Sequence, residues 1–436
     1  MLLRIPLIYH IVRRNVSALY GDRANGNYPI LRPYFDFNTK LQDKQKLEQN
    51  IRRRKLNIDL NKINDLWSTH AALSKKQCDL ERRPKEILDS MESIDPKAKG
   101  SKDLTRKYKI ELAMVKSDLK ALKENARAVE DLFIDKFLDL PNDINERTPV
   151  DVNTVIFSYT DRRTVTEDDT ENHLNKLNYV EYHDPHCYFL KGVAAEYDLA
   201  LPFYCIEMFG LHGFMPFSNP DFIRSVLAEG GGVDKNDLMT IVDKDLGNKL
   251  NLMHIAGSGS MLSFLGFVTR LMVYKNYLPL KFVSSGKVFS NRDTTSSEDY
   301  GLYSACQTTN VQLFCMTDDE SESLKQFDEI VGQMIEFYKH LDRTFRVVYV
   351  TGDQLSQAED SRAVFEIFSH QRKCFIPVGH LSSYGDYVSK RLLIAFKDGN
   401  AKEMQFPHLI SGSLINVTKY LAILLEDKGA LKTPKM

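Results

Sequence analysis

Between residues 108 and 133 the side chains Tyr108, Leu112, Val115, Leu119, Leu122, Ala126, Val129 and Phe133 recur at alternating steps of four and three. A helix turns every 3.6 residues, so this spacing lays one apolar seam along a single face, as in a helix that packs lengthwise on another. The partner lies upstream. Ile63, Leu66, Leu73, Leu80, Ile87 and Met91 keep the same spacing, with His70, Gln77 and Pro84 at seam positions between them. Asp95, Pro96 and Gly100 supply turn residues between the two stretches. Residues 58–138 therefore predict an antiparallel helical hairpin of roughly 50 Å at 1.5 Å per residue, too long and thin to pack wholly on a globular body. Pro84 is expected to kink or open the first helix, because it lacks a backbone donor and crowds the preceding turn.

One residue past the seam runs a second row. Lys109, Lys116, Lys120, Lys123 and Arg127, extended backwards by Lys102 and Arg106, share one flank of the helix. Such a row can neutralise successive phosphates of an RNA stem. It can equally be a solvated edge, paired with Glu111, Asp118 and Glu124. The run Arg52, Arg53, Arg54, Lys55 before the hairpin is open to the same two readings. Overall charge does not choose between them, since 58 Lys and Arg face 59 Asp and Glu, and any RNA contact must come from local segregation.

A chain of 436 residues, 43% of them hydrophobic, can bury a large core, and two domains are expected. The cysteines Cys78, Cys187, Cys205, Cys306, Cys315 and Cys374 form no CxxC pair and have no His at zinc spacing, so neither a metal site, a disulfide framework nor a cofactor is expected. No apolar run of about 18 residues is present, so no transmembrane helix is expected. The first residues carry Arg4, Arg13 and Arg14 and no acid before Asp22, with Leu2, Leu3, Ile5, Ile8, Ile11 and Val12 able to form an apolar face. That is the make-up of a mitochondrial transit peptide, although Pro6 interrupts the helix. A frayed N-terminus is the alternative.

Four further segments carry the chemistry. Leu278–Phe314 reads LPLKFVSSGKVFSNRDTTSSEDYGLYSACQTTNVQLF, Cys187–Phe222 reads CYFLKGVAAEYDLALPFYCIEMFGLHGFMPFSNPDF, Val378–Arg391 reads VGHLSSYGDYVSKR, and His408–Asp427 reads HLISGSLINVTKYLAILLED. In this order they resemble motif 2, motif 1, motif 3 and its closing segment in the seryl-tRNA synthetases, a class II family. Phe289, Gly301, Leu302, Gln307 and Val311 hold the motif 2 frame, and Leu140, Pro141, Asn142, Thr148 and Pro149 match the linker after the family's helical arm. The likeness runs over about residues 36 to 430. It implies an α+β chain: an N-terminal antiparallel helical-hairpin arm, then a class II antiparallel sheet domain with flanking helices. The expected boundaries are 1–35 for transit peptide and leader, 36–140 for the arm, 141–180 for a linker and 181–436 for the catalytic-type domain.

The same resemblance implies that the chemistry is missing. The family's ATP-binding Arg falls on Ser290, its Glu two residues on falls on Arg292, and its adenine-stacking Phe falls on Thr308. The carboxylates that would hold the substrate ammonium fall on Ser260, in a loop that includes Ser258, and on Gln312. A metal and ATP ligand falls on Pro377, and the phosphate-clamping Arg on Lys419, which keeps the charge but loses the planar fork. Ammonium and phosphate groups left without such partners forfeit charge-assisted hydrogen bonds of roughly 1.5 to 3 kcal/mol each. Arg292 points to the same strand face as the missing Arg and is the one route to residual ATP binding. Motif 1, with Gly213, Phe214 and Pro220, implies a retained subunit interface. The expected protein is a non-catalytic mitochondrial matrix member that binds no ATP and no membrane. Its expected partners are tRNA, tRNA-Ser or another mitochondrial RNA, and the active mitochondrial seryl-tRNA synthetase as heterodimer, or a second copy as homodimer. The alternatives are a degenerate but still active serine-tRNA ligase and a helical scaffold with no RNA role.

Overall fold

The computed structural model describes residues 17–20, 26, 31, 33–93, 101–161, 179–183, 187–241, 252–291, 301–399 and 404–426. They form two compact units, Asp36–Asn153 with Val350–Ser361, and Thr154–Tyr349 with Arg362–Met436 and the N-terminal stretch to Phe35.

The first unit holds α1 (Phe37–Gln42), α2 (Lys44–Arg53), α3 (Leu60–Glu92) and α4 (Ser101–Leu138). Asp36, Asp43 and Asp59 start the first three, each carboxylate accepting from backbone N–H groups of the opening turn. Trp67 packs on Phe133 and Glu81 reaches Lys123, so position falls along α4 as it rises along α3 and the pair is antiparallel. Ile63, Ile87, Val115, Ala126 and Phe133 are buried along the seam. The polar seam positions are absorbed differently. His70 stacks on Trp67 and Phe133 at 5.7 and 5.9 Å, while Gln77 donates to Glu81 at 3.1 Å. Helix α3 continues through Pro84 to Glu92, so the proline does not end the element. Proline removes one donor there, and the bonds and packing on either side keep the backbone helical. Asp95, Pro96 and Gly100 lie outside the described residues.

The second unit is built on an eight-stranded sheet: β1 (Thr154–Tyr159), β2 (Met215–Pro216), β3 (Leu280–Phe289), β4 (Gln307–Thr317), β5 (Phe345–Tyr349), β6 (Ser361–Ser369), β7 (Cys374–Gly385) and β8 (His408–Asn416). Their order is β1-β5-β6-β7-β8-β4-β3-β2. β4 pairs antiparallel with both β3 and β8, and only the short β2 lies parallel to its neighbour β3. β1 comes from the stretch expected to be linker and instead closes one edge of the sheet against β5. Helices α5 (Val193–Leu211), α6 (Ser225–Gly230), α7 (Met261–Val268), α8 (Glu320–His340), α9 (Tyr387–Leu392) and α10 (Val417–Glu426) surround it. β4 is buried along almost its whole length. α8 buries Phe327, Ile330, Met334, Phe337 and Tyr338, and the Tyr338 hydroxyl donates to the Leu414 carbonyl on β8 at 2.9 Å. At Gly412 an added Cβ would lie 2.1 Å from the His380 carbonyl oxygen, so only glycine lets β7 and β8 approach there.

A small sheet of the strands Phe222–Arg224, Met253–Ile255 and Met239–Ile241 packs beside α6, with Met253–Ile255 in the middle. Its His254 is buried between the Ser225 hydroxyl, 2.8 Å from Nε2, and the Thr240 hydroxyl, 2.9 Å from Nδ1. Burial, and secondarily Lys235, push the imidazole below its ordinary value. The fold therefore favours neutral His254. Its contribution is fully present above the unfolded value, about 6.5, and is lost as pH falls from there towards the folded value. Denaturant titrations between pH 7.5 and 5 should show His254→Gln losing stability more slowly than wild type, by up to about 1.4 kcal/mol per pH unit. Parallel curves would assign the loss elsewhere, as to His408, also shifted down by burial.

Candidate functional site

The sheet's central strands bring four of the sequence-predicted positions together. Ser290, Thr308, Pro377 and Lys419 line one cavity of about 400 Å³, together with Val288, Tyr303, Asn310, Arg362 and His380. Thr308 is placed by β4 opposite Val288, Pro377 by β7, and Lys419 by the first turn of α10, where its N–H donates to Asn416 Oδ1 at 2.9 Å. Two permanent cations, Arg362 and Lys419, face this space, and none of its described lining residues is a carboxylate. Hard divalent cations take oxygen ligands, usually carboxylates, and the described lining supplies hydroxyl and amide oxygens instead. Arg292 lies outside the described residues.

Ser258, Ser260 and Gln312 are absent from that cavity's lining. Ser260 is the N-cap of α7, its hydroxyl accepting from Leu262 N–H at 3.3 Å, so it serves the helix rather than a substrate. The loop before it presses on β3. Gly257 has φ +93°, and a Cβ there would lie 1.9 Å from the Lys287 carbonyl oxygen. Ser258 is fixed through its backbone, its carbonyl accepting from Ser284 and Asn219 at 3.0 and 3.2 Å and its N–H reaching Asp221 at 2.8 Å.

Gln312 is buried, and its amide donates to the Ser411 hydroxyl at 2.9 Å while its carbonyl accepts from Asn310 at 3.3 Å. Asn310 also donates to the Gly259 carbonyl at 3.0 Å, and Ser413 donates to Asn310 Oδ1. Loop, β4 and β8 are thus tied by a neutral network where the family resemblance implies a charge receptor. Asn310 and Ser411 escaped the sequence reading, which noted Ser413 only as a position the family resemblance retains. The signal was present: Asn310 and Gln312, like Ser411 and Ser413, are two apart, which puts each pair on one face of a strand.

The residues expected at the motif 1 interface differ in exposure. Phe214 is buried, edge-on to Phe209 at 5.4 Å with the Lys281 ammonium above its ring, so it is a core residue. Gly213 and Pro220 are exposed. The apolar surface lies instead along α5 and β2, where Leu199, Phe203, Leu211 and Met215 are 67%, 66%, 89% and 58% exposed. Leu199, which also fits a core role by sequence, is therefore a surface residue. A period of 3.6 applied to α5 does not separate these residues from the buried Leu201 and Cys205, because the helix is apolar nearly all round.

On the arm, Arg106, Lys109, Lys116, Lys120, Lys123 and Arg127 are exposed along α4, while the side chain of Lys102 lies outside the described residues. Lys123 crosses to Glu81 at 2.9 Å and holds that carboxyl below its usual range, with help from Gln77. Among the described residues, Arg106, Lys109, Lys116, Lys120 and Arg127 form no ion pair, and the same-helix pairing with Glu111, Asp118 and Glu124 is not seen. The arginine run divides. Arg52 is exposed, but Arg54 is buried, its guanidinium donating to Asn50 Oδ1 at 3.1 Å and to the carbonyls of Ser356, Asn142 and Glu359 at 2.8, 3.1 and 2.5 Å. Arg53 donates to the Thr148 carbonyl at 2.5 Å, and Lys55 pairs with Asp353 at 2.6 Å. A guanidinium so enclosed cannot reach a phosphate, so Arg54 belongs to the base of the arm.

Residues 266–428 match the model of the tRNA synthetase class II core domain (G, H, P, S and T). The chain is 34% identical over 435 residues to the serine–tRNA synthetase-like protein Slimp of Drosophila melanogaster, covering 97% of this chain and 91% of that protein. It is 22% identical over 442 residues to the mitochondrial serine–tRNA ligase of Mus musculus, covering 95% and 83%. In fold it is similar to the seryl-tRNA synthetase of Pyrococcus horikoshii solved with ATP, with a TM-score of 0.81 at 16% identity over 90% of this chain and 94% of that one.

Proposed function

Since the chain belongs to the seryl-tRNA synthetase family, we propose that it is a non-catalytic member that binds tRNA through its helical arm and works in mitochondria beside an active seryl-tRNA synthetase. The observation that carries this reading is the neutral Asn310, Gln312, Ser411 and Ser413 network. An amino-acid ammonium entering there would meet amides and hydroxyls already committed to one another and no carboxylate. Binding it would break internal hydrogen bonds without a charged replacement. The name of the mouse relative and the basic N-terminal residues support the mitochondrial setting.

The arm supports the RNA part. A row of exposed cations, of which only Lys123 has a carboxylate partner among the described residues, is ready to replace counterions along a phosphate backbone, which is where most nucleic-acid affinity arises. The exposed apolar face of α5 and β2 supports a subunit partner, since such a patch on a free monomer is a liability in water. A second reading, a weakly active serine-tRNA ligase, draws on the cavity lined by Arg362 and Lys419.

Calorimetry with ATP and magnesium separates the two readings: no saturable heat is expected below millimolar nucleotide, and micromolar binding would refute the non-catalytic one. For the arm, replacing Lys109, Lys116, Lys120 and Arg127 with Gln should weaken tRNA binding and reduce the slope of log affinity against log salt by about 3. An unchanged slope would return the row to a solvated edge. For the partner, co-expression with the mitochondrial seryl-tRNA synthetase should give a mixed dimer in native mass spectrometry. Leu199→Asp with Phe203→Asp should abolish it and leave the fold intact, because unpaired charges in an interface cost several kcal/mol. Separate homodimers alone would overturn the heterodimer.

A further inference from the structure

The described residues just after the basic N-terminal run are anchored in the second unit. Ala18 and Leu19 are 1% and 2% exposed, and Leu31 is buried as well. The Glu229 carboxylate, near the end of α6, accepts from the Ser17 hydroxyl at 2.5 Å, the Ala18 N–H at 2.7 Å and the Lys235 ammonium at 2.9 Å. Further along, the Tyr34 N–H donates to the Lys390 carbonyl at 2.9 Å and its ring packs on Phe406 at 5.0 Å. α6 and α9 are therefore both touched by this stretch.

We infer that Ser17–Tyr20, Leu31 and Pro33–Phe35 are permanent strap contacts of the mature protein, and that removal of the targeting segment cuts no later than the Val16–Ser17 peptide bond. The processing part rests on the mitochondrial reading above; the strap does not. The cationic, amphipathic character that import requires is carried by Leu2 to Arg14, and Ala18 and Leu19, a few residues on, are buried. The cut is a hydrolysis in which one water adds across the amide, the C–N bond breaks, and a carboxylate and a new α-ammonium result. At Val16–Ser17 that ammonium is released beside Glu229, an additional cation for a carboxylate that already takes three donors. A cut beyond Tyr20 would instead leave Glu229 with Lys235 alone of those donors and expose the surface that Ala18 and Leu19 cover. Peptidases act on extended, accessible backbone, which 17–19 does not offer.

Recombinant chains beginning at residues 1, 17 and 36 test the strap. The first two should melt together, and the third at least about 4 °C lower or not fold at all, as losing one or two kcal/mol requires for a body of this size. Glu229→Gln should lower the melting temperature of the chain from 17 more than that of the chain from 36. Equal melting of the chains from 17 and 36 would overturn the strap. Import of the full chain into energised mitochondria, followed by mass spectrometry of the mature N-terminal peptide, tests the cut. A terminus at or before Ser17 is expected, and any terminus beyond Ser17 overturns it. Failure to import would refute the mitochondrial reading and the processing site with it, while the melting comparison still decides the strap.

Discussion

A polar side chain on a buried strand must find a hydrogen bond inside the protein, and the pairing of Gln312 with Ser411 and Asn310 is where that constraint shapes this molecule most. Both strands, β4 and β8, lie mid-sheet and are almost wholly buried. A carboxylate at such a place is tolerable only when a cation is bound to it. Amides and hydroxyls that satisfy one another keep the sheet stable with nothing bound. The network also reaches Gly259, so the loop ahead of α7 is drawn onto the sheet, and Ser260 turns to capping that helix. The loop, the two central strands and the helix cap are thus one self-sufficient arrangement.

The arm follows a different rule. Its seam is apolar, and its aromatic base of Phe37, Trp67, His70, Phe133 and Phe137 fixes how α3 and α4 meet. Arg54 ties α2 to the carbonyls of residues 142, 356 and 359 in the same unit. A buried guanidinium spread over several carbonyl dipoles holds chain ends together that no apolar contact could orient, because its donors are fixed in a plane. On α4, Arg106, Lys109, Lys116, Lys120 and Arg127 are exposed to solvent.

The surface of α5 and β2 adds a third element. Leu199, Phe203, Leu211 and Met215 project outward while Phe214 and Phe209 fill the core behind them. This apolar face is backed by packed rings.

Much of this was written in the sequence. Periodicity determined the two helices and the cationic row on α4, because a helix carries its own face pattern wherever it packs, and the turn residues between them gave the antiparallel sense. The motif residues determined the α+β class and the positions where charge is missing. Other features were decided only by tertiary contact. Arg52 and Arg54 are the same residue type in one short run, yet one meets water and the other four oxygen acceptors, and nothing local distinguishes them. The exposed apolar face of α5 was hidden for a related reason: a helix apolar nearly all round has no preferred side until neighbours cover one. Asn310, Ser411 and Ser413 come from strands about a hundred residues apart, and a hydrogen bond between them exists only once β4 and β8 lie side by side.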